Sequence, residues 1–296
     1  MYFGLSEEQQ FFQESINKFL EDNVTVDALK AYRTGENKVL TKTVYNGLNE
    51  LGLSSLIVPE AFGGLGLDSL FAISVSESLG KGVAPYPFIG SFLIAPFLID
   101  QLGNESQKEK YLPGIATGEN RFGVALSEIT GRRIDSSIEY SKQRLNGSSL
   151  FVMDDIECTH YLIVDSDAGV HIIDASNVNL KRIELKTVDV TSFVSELIFN
   201  GIETEVLSND SDNIEIVNQA IDLGRIALAA NTLGAAQCML DQSIEYAKER
   251  KQFGRQIGSF QAVKHMCAQM ASDLEPCYSL VWYAAHAMDH IPSESH

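Results

Sequence analysis

Positive charge is scarce in this chain. Its 296 residues hold 22 lysines and arginines against 40 aspartates and glutamates, a formal net charge of −18. That excess repels polyanions, so nucleic acid and anionic membrane surfaces are excluded as partners, and any site for an anionic ligand must be locally basic. Long apolar runs are missing as well. None approaches the roughly 18 residues needed to cross a bilayer, so no membrane insertion is expected. The start, Met1-Tyr-Phe-Gly-Leu-Ser, has neither the basic region nor the apolar stretch of a secretory signal. Four cysteines, Cys158, Cys238, Cys267 and Cys277, show no CxxC or zinc spacing, which predicts reduced thiols in a cytoplasmic protein. His286 and His290 are four apart on a helical pattern, but no third ligand accompanies them, so no metal is placed.

What is present divides the chain in three. Residues 1–120 read as helices: Leu5, Phe12, Ile16, Phe19 and Leu20 recur at helical spacing, with Ser6 as N-cap and Glu7 and Glu8 in the first turn. Pro59 to Gly66 is a tight turn, and Ala84-Pro-Tyr-Pro87 a second connector before an apolar helix ended by Gly103. Residues 121–212 change period. Short strand-like runs at 122–126, 138–145, 150–153, 161–164, 170–173, 182–185 and 197–199 predict a small antiparallel sheet or barrel, with Asn146-Gly147 as a hairpin turn. Residues 213–296 return to helix, over about 214–251 and 259–290, with Asp212 or Asn213 as cap and a kink at Pro276. The class is α+β and multi-domain: N-terminal helices, a middle antiparallel β domain and a C-terminal helical bundle.

The corner between the last two helices carries most of the information. In Tyr246-Ala-Lys-Glu-Arg-Lys-Gln-Phe-Gly-Arg-Gln-Ile-Gly-Ser-Phe-Gln261, Lys248, Arg250, Lys251 and Arg255 gather positive charge in an acidic protein. Arg grips phosphate with a rigid fork, Phe253 offers a flat face, and a Gln amide donates and accepts. The alternative is a solvated helix end whose cations answer the C-terminal dipole.

Arg250-Lys-Gln-Phe-Gly254 with Gln261 resembles the corner between the long C-terminal helices of the acyl-CoA dehydrogenases. Further matches are Val58-Pro-Glu-Ala-Phe-Gly-Gly-Leu-Gly66, Glu77-Ser-Leu-Gly80, Lys110-Tyr-Leu-Pro-Gly-Ile-Ala-Thr-Gly-Glu119 and Ala125-Leu-Ser-Glu128. The resemblance implies FAD as cofactor and flavin-dependent α,β-dehydrogenation of an acyl-CoA thioester, with electrons passed to an electron-transfer flavoprotein. It implies a homo- or hetero-oligomer, dimer or tetramer, in which the corner reaches a partner's flavin. The implied cofactor contacts are Leu126, Ser127, Phe151, Val152 and Met153, with Arg250, Gln252, Phe253 and Gln261 from across the interface. Asp222 and Arg225, one helical turn apart, and Arg133 are implied as substrate contacts.

The sequence also departs from the family pattern. Some members carry the catalytic glutamate at the position of Gly224, which has no proton-accepting group. Others place it on a later loop, so no catalytic residue is assigned within these residues, and the C-terminal domain reads as incomplete, a fragment of a longer product. Ile129 stands where the family has proline, Arg132-Arg133 occupy a turn of small residues, and Phe151-Val152-Met153 replaces Trp-Ile-Thr/Ser. Such wear resembles the weaker subunit of heteromeric members, including those acting on steroid side chains. Two other functions therefore stay open: a non-catalytic partner subunit completing another chain's FAD site, and a flavin monooxygenase or oxidase of the same fold.

Overall fold

Ser6 closes the first helix from both sides. Its hydroxyl accepts the backbone N–H of Gln9 at 3.2 Å, and the Gln9 side chain accepts the Ser6 N–H at 2.9 Å. This reciprocal cap satisfies two otherwise orphaned donors and starts α1 (Glu7–Asn23). The computed structural model describes residues 5–130, 137–208, 213–291 and 294. After α1 come α2 (Val26–Arg33), α3 (Leu40–Glu50) and α4 (Ser69–Lys81). A π-helical stretch, Ile89–Ile94, runs into α5 (Ala95–Leu102), which Gly103 ends, and α6 (Glu105–Ala116) follows.

The sheet comprises β1 (Phe122–Ala125), β2 (Ile138–Ser141), β3 (Arg144–Met153), β4 (His160–Val164), β5 (Val170–Asp174), β6 (Leu180–Glu184), β7 (Val194–Glu203) and β8 (Glu205–Ser208). A short helix, α7 (Ser127–Thr130), follows β1. The strands run β6-β7-β3-β1-β4-β5-β8 along an open path, with β2 on β3. The expected antiparallel sheet is in fact mixed: β1 and β4 pair in parallel, Phe122 opposite His160 through Ala125 opposite Ile163. The chain leaves β1 and passes through α7 and the β2–β3 hairpin before returning as β4, a crossover that lets the two strands point the same way.

The Asn146-Gly147 turn is also corrected. Both residues lie inside β3, where Asn146 faces Glu139 and Gly147 faces Ile138. The turn is Lys142-Gln143, with φ of 50° and 61°, the paired left-handed values a two-residue hairpin needs. Gly147 is glycine for another reason: at φ 117° a Cβ would collide with the carbonyl oxygen of Ser137. The expected cap at Asn213 does not form. Its backbone is helical and its side chain makes no capping bond, accepting instead from the Ser208 hydroxyl at 3.1 Å. Asp212 lies outside the described residues.

Two long helices close the fold, α8 (Ile214–Glu249) and α9 (Gln261–His290), the second assigned as helix straight through Pro276. Between them the corner is a miniature hairpin, β9 (Lys251–Gln252) and β10 (Arg255–Gln256), turning at Phe253 and Gly254 with φ of 52° and 79°. The core has two parts. One runs through the helices and takes one face of the sheet, including Phe122, Val124, Leu162 and Val164. The other lies on the opposite face, with Tyr161, Ile163, Leu197 and Phe199. Alternate residues of β4 enter alternate cores, the period-2 geometry of a strand buried on both sides. Helix α4 lies against α8 backbone to backbone: a Cβ on Gly80 would strike the carbonyl of Asn231, and one on Gly234 that of Glu77. The Ser76 hydroxyl donates to the Ala227 carbonyl at 2.8 Å across the same seam.

Candidate functional site

The α4–α8 seam, the Val83–Ile89 connector and the ends of β1 and β3 enclose a cleft of about 700 Å³. Helix α8 contributes Ile221, Gly224, Leu228, Asn231 and Ala235, spaced three or four apart on one stripe, with Arg225 beside Gly224. The sheet contributes Leu126 and Met153, and the loop before β7 adds Asp189 and Thr191.

Four residues named from sequence meet here: Leu126, Met153, Gly224 and Arg225. Ser127 stands next to Leu126, its hydroxyl 2.6 Å from that of Ser149 on β3. Phe151 sits on a bulge of β3, where the register with β7 shifts between Ser149 and Val152. It holds a left-handed φ of 57° with its ring 63 % exposed. An aromatic residue in that conformation is costly, and an exposed ring at a bulge offers a flat apolar surface to a planar group. Val152 is fully buried in the sheet's second core, so only its backbone is available to a ligand. Arg133 lies outside the described residues.

Asp222 and Arg225 form the expected one-turn pair, Nη1 donating to Oδ1 at 3.0 Å. Their surroundings differ. The Arg225 side chain is 68 % exposed and borders both the cleft and a crevice between α8 and α9, whereas Asp222 is buried and lines only that crevice, with Ile226, Leu280 and Val281. Asp222 therefore steadies Arg225 from behind, and Arg225 alone of the two lines the cleft.

Arg250, Gln252, Phe253 and Gln261 come together at the α8–α9 corner, and all four are exposed. Phe253 projects 92 % exposed, edge-on to Phe260 at 6.2 Å, while the Arg255 guanidinium lies 4.0 Å over the Phe260 ring. The corner does not touch this chain's cleft. From Gly224 to Glu249 the helix advances roughly 37 Å at about 1.5 Å per residue.

One cleft residue had no signature in the sequence. Asp154, directly after Met153, reaches from the end of β3 to the start of the π-helical stretch, where its Oδ2 accepts the N–H of Gly90 at 2.5 Å and of Ser91 at 3.2 Å. Burial pushes its carboxyl up to about 6, against the pull of those two donors. Its neighbour Asp155 turns the other way, accepting from the Tyr161 hydroxyl at 2.7 Å and Arg182 Nε at 2.5 Å.

Comparison with known proteins places this architecture. The model of the acyl-CoA dehydrogenase N-terminal domain matches residues 6–119, and that of the acyl-CoA dehydrogenase C-terminal domain matches residues 214–295. The chain belongs to the acyl-CoA dehydrogenase family. It is 29 % identical to an acyl-CoA dehydrogenase of Bacillus subtilis, over 95 % of this chain and 79 % of that protein. It is also 29 % identical to the caffeyl-CoA reductase-Etf complex subunit CarC of Acetobacterium woodii, over 98 % of this chain and 81 % of that one. A solved structure of glutaryl-coenzyme A dehydrogenase with glutaryl-CoA superposes with a TM-score of 0.85 at 27 % identity, covering 98 % of this chain and 78 % of the other. FAD is the cofactor of this acyl-CoA dehydrogenase fold, and the residues here fit it: the cleft of about 700 Å³ is walled on the sheet side by the apolar side chains of Leu126 and Met153, which suit a planar ring.

Proposed function

We propose that this acyl-CoA dehydrogenase removes the α and β hydrogens of an acyl-CoA thioester and passes the electrons to an electron-transfer flavoprotein, acting as part of an oligomer. No amino-acid side chain accepts a hydride, and FAD supplies that acceptor. The chain's own residues do the rest. Leu126 and Met153 line the cofactor side, Ile221, Gly224 and Leu228 wall the acyl side, and Arg225, braced by Asp222, offers a donor at the mouth. The likeness to a reductase–Etf subunit supports the choice of electron acceptor.

The observation that carries this reading is the joining of Leu126 and Met153 from the sheet with Gly224 and Arg225 from α8 around one cleft. The base that takes the α proton is missing from that group. Gly224 has no side chain, Asp154 holds the start of the π-helical stretch, and Asp189 is bound to Thr191 and Ser192. A base must come within hydrogen-bond reach of the proton it removes. We assign it to a carboxylate outside this set, carried by a longer product of the same gene or by a partner chain.

A second reading follows from the corner. Arg250, Gln252, Phe253 and Gln261 are exposed and far from their own cleft, so they suit a flavin held by a neighbouring subunit. On this reading the chain is a partner that completes another's FAD site. Colour separates the two. A chain that binds flavin in its own cleft purifies yellow and bleaches with acyl-CoA once that carboxylate is supplied. A purely complementing subunit purifies colourless yet restores colour to its partner.

A further inference from the structure

The stripe of α8 that lines the cleft is long. From Gly224 to Ala235 it advances roughly 16 Å at about 1.5 Å per residue. An extended acyl chain advances about 1.3 Å per carbon, given C–C bonds near 1.5 Å in a zigzag, so that stripe matches roughly twelve carbons. The facing wall, Leu79, Gly80 and Val83, is apolar like Ile221, Leu228 and Ala235. Asn231, the polar residue in the stripe, already donates its amide to the Ser76 carbonyl at 3.3 Å. Arg225 lies roughly 15 Å along the helix from Ala235, and at the Ala235 end the backbone of Lys81 abuts Gly234. The seam below is backbone against backbone at Gly80 and Gly234, which leaves the groove no way to deepen by a side-chain swing.

We infer that the site takes saturated acyl thioesters of medium to long chain, with length read along α8 and stopped at Ala235. This rests on the dehydrogenase reading of the cleft. A short acyl group would leave the far half of an apolar groove wet. Each methylene laid along it removes apolar surface from water, worth up to about fourfold in affinity.

The test is a binding series on the purified protein, with whatever flavin and partner it retains, using butyryl-, octanoyl-, dodecanoyl- and hexadecanoyl-CoA and calorimetry. Affinity is expected to rise at least 100-fold from butyryl to dodecanoyl, and then to level off. Ala235→Phe, which plugs the end of the groove, should lower dodecanoyl affinity at least tenfold while butyryl affinity is unchanged, and the retained butyryl binding reports a folded variant. Equal affinities across the wild-type series, or tightest binding of butyryl-CoA, would overturn the inference whatever the variant does. If wild type binds neither acyl-CoA nor CoA, the dehydrogenase reading itself fails, and the inference with it.

Discussion

The carboxylate of Asp154 accepts the backbone N–H of Gly90 at 2.5 Å, tying the end of β3 to the first turn of the π-helical stretch that walls the cleft. The ordinary aspartate value is 3.8, and burial lifts this carboxyl to about 6. Between those values the folded chain holds a proton that the unfolded chain has released. Its contribution is therefore fully present below about 4 and lost as pH rises through about 6, by on the order of 2–3 kcal/mol. Asp154→Asn keeps an acceptor oxygen for Gly90 and should show no such loss. Urea denaturation of both proteins from pH 4 to 8 checks this; parallel stability curves would refute it.

Gly147→Ala should destabilise the sheet by roughly 2–4 kcal/mol, because the new Cβ meets the Ser137 carbonyl and the backbone is left-handed. Lys142→Asn combined with Gln143→Gly should stabilise by about 1 kcal/mol, since those residues suit the two left-handed positions of the true turn. Thermal and chemical unfolding read both. A neutral Gly147→Ala would mean that β2 and β3 pair in another register.

At the seam, Gly234→Ala is expected to cost about 1–3 kcal/mol by forcing α8 away from the Glu77 carbonyl. The same shift would widen the groove, so acyl binding should weaken in parallel. Loss of stability with unchanged acyl affinity would place the ligand elsewhere.

Arg250→Ala should weaken FAD retention in the assembled oligomer by about 1.5–3 kcal/mol, the range for a hydrogen bond to a charged group. Lys251→Ala should cost less. Its place differs from the helical one expected, since it pairs with Gln256 in the corner hairpin, but it too is exposed. Flavin content after gel filtration is the measurement, and equal content in wild type and Arg250→Ala would remove the corner from the site.

What the sequence determined by itself was whatever is written in local spacing. The apolar period of α1, the Ser6 cap, the change of period near 121 and the long helices on either side of Arg250-Lys-Gln-Phe-Gly254 all follow from interactions within a few residues. So does the Asp222–Arg225 pair, which one helical turn brings together. Local chemistry misled at Asn146-Gly147, a strong turn signal that tertiary pairing overrode by drawing both residues into β3. The parallel β1–β4 pair, the lift on Asp154 and the length of the groove had no local trace. Each depends on contacts between segments far apart in the chain: His160 beside Phe122, Gly90 over Asp154, Gly80 against Asn231. Asp222 and Arg225 show the division most plainly. Spacing put them on one side of a helix, but only the packing of α9 decided that Asp222 would be buried behind while Arg225 remained in the cleft.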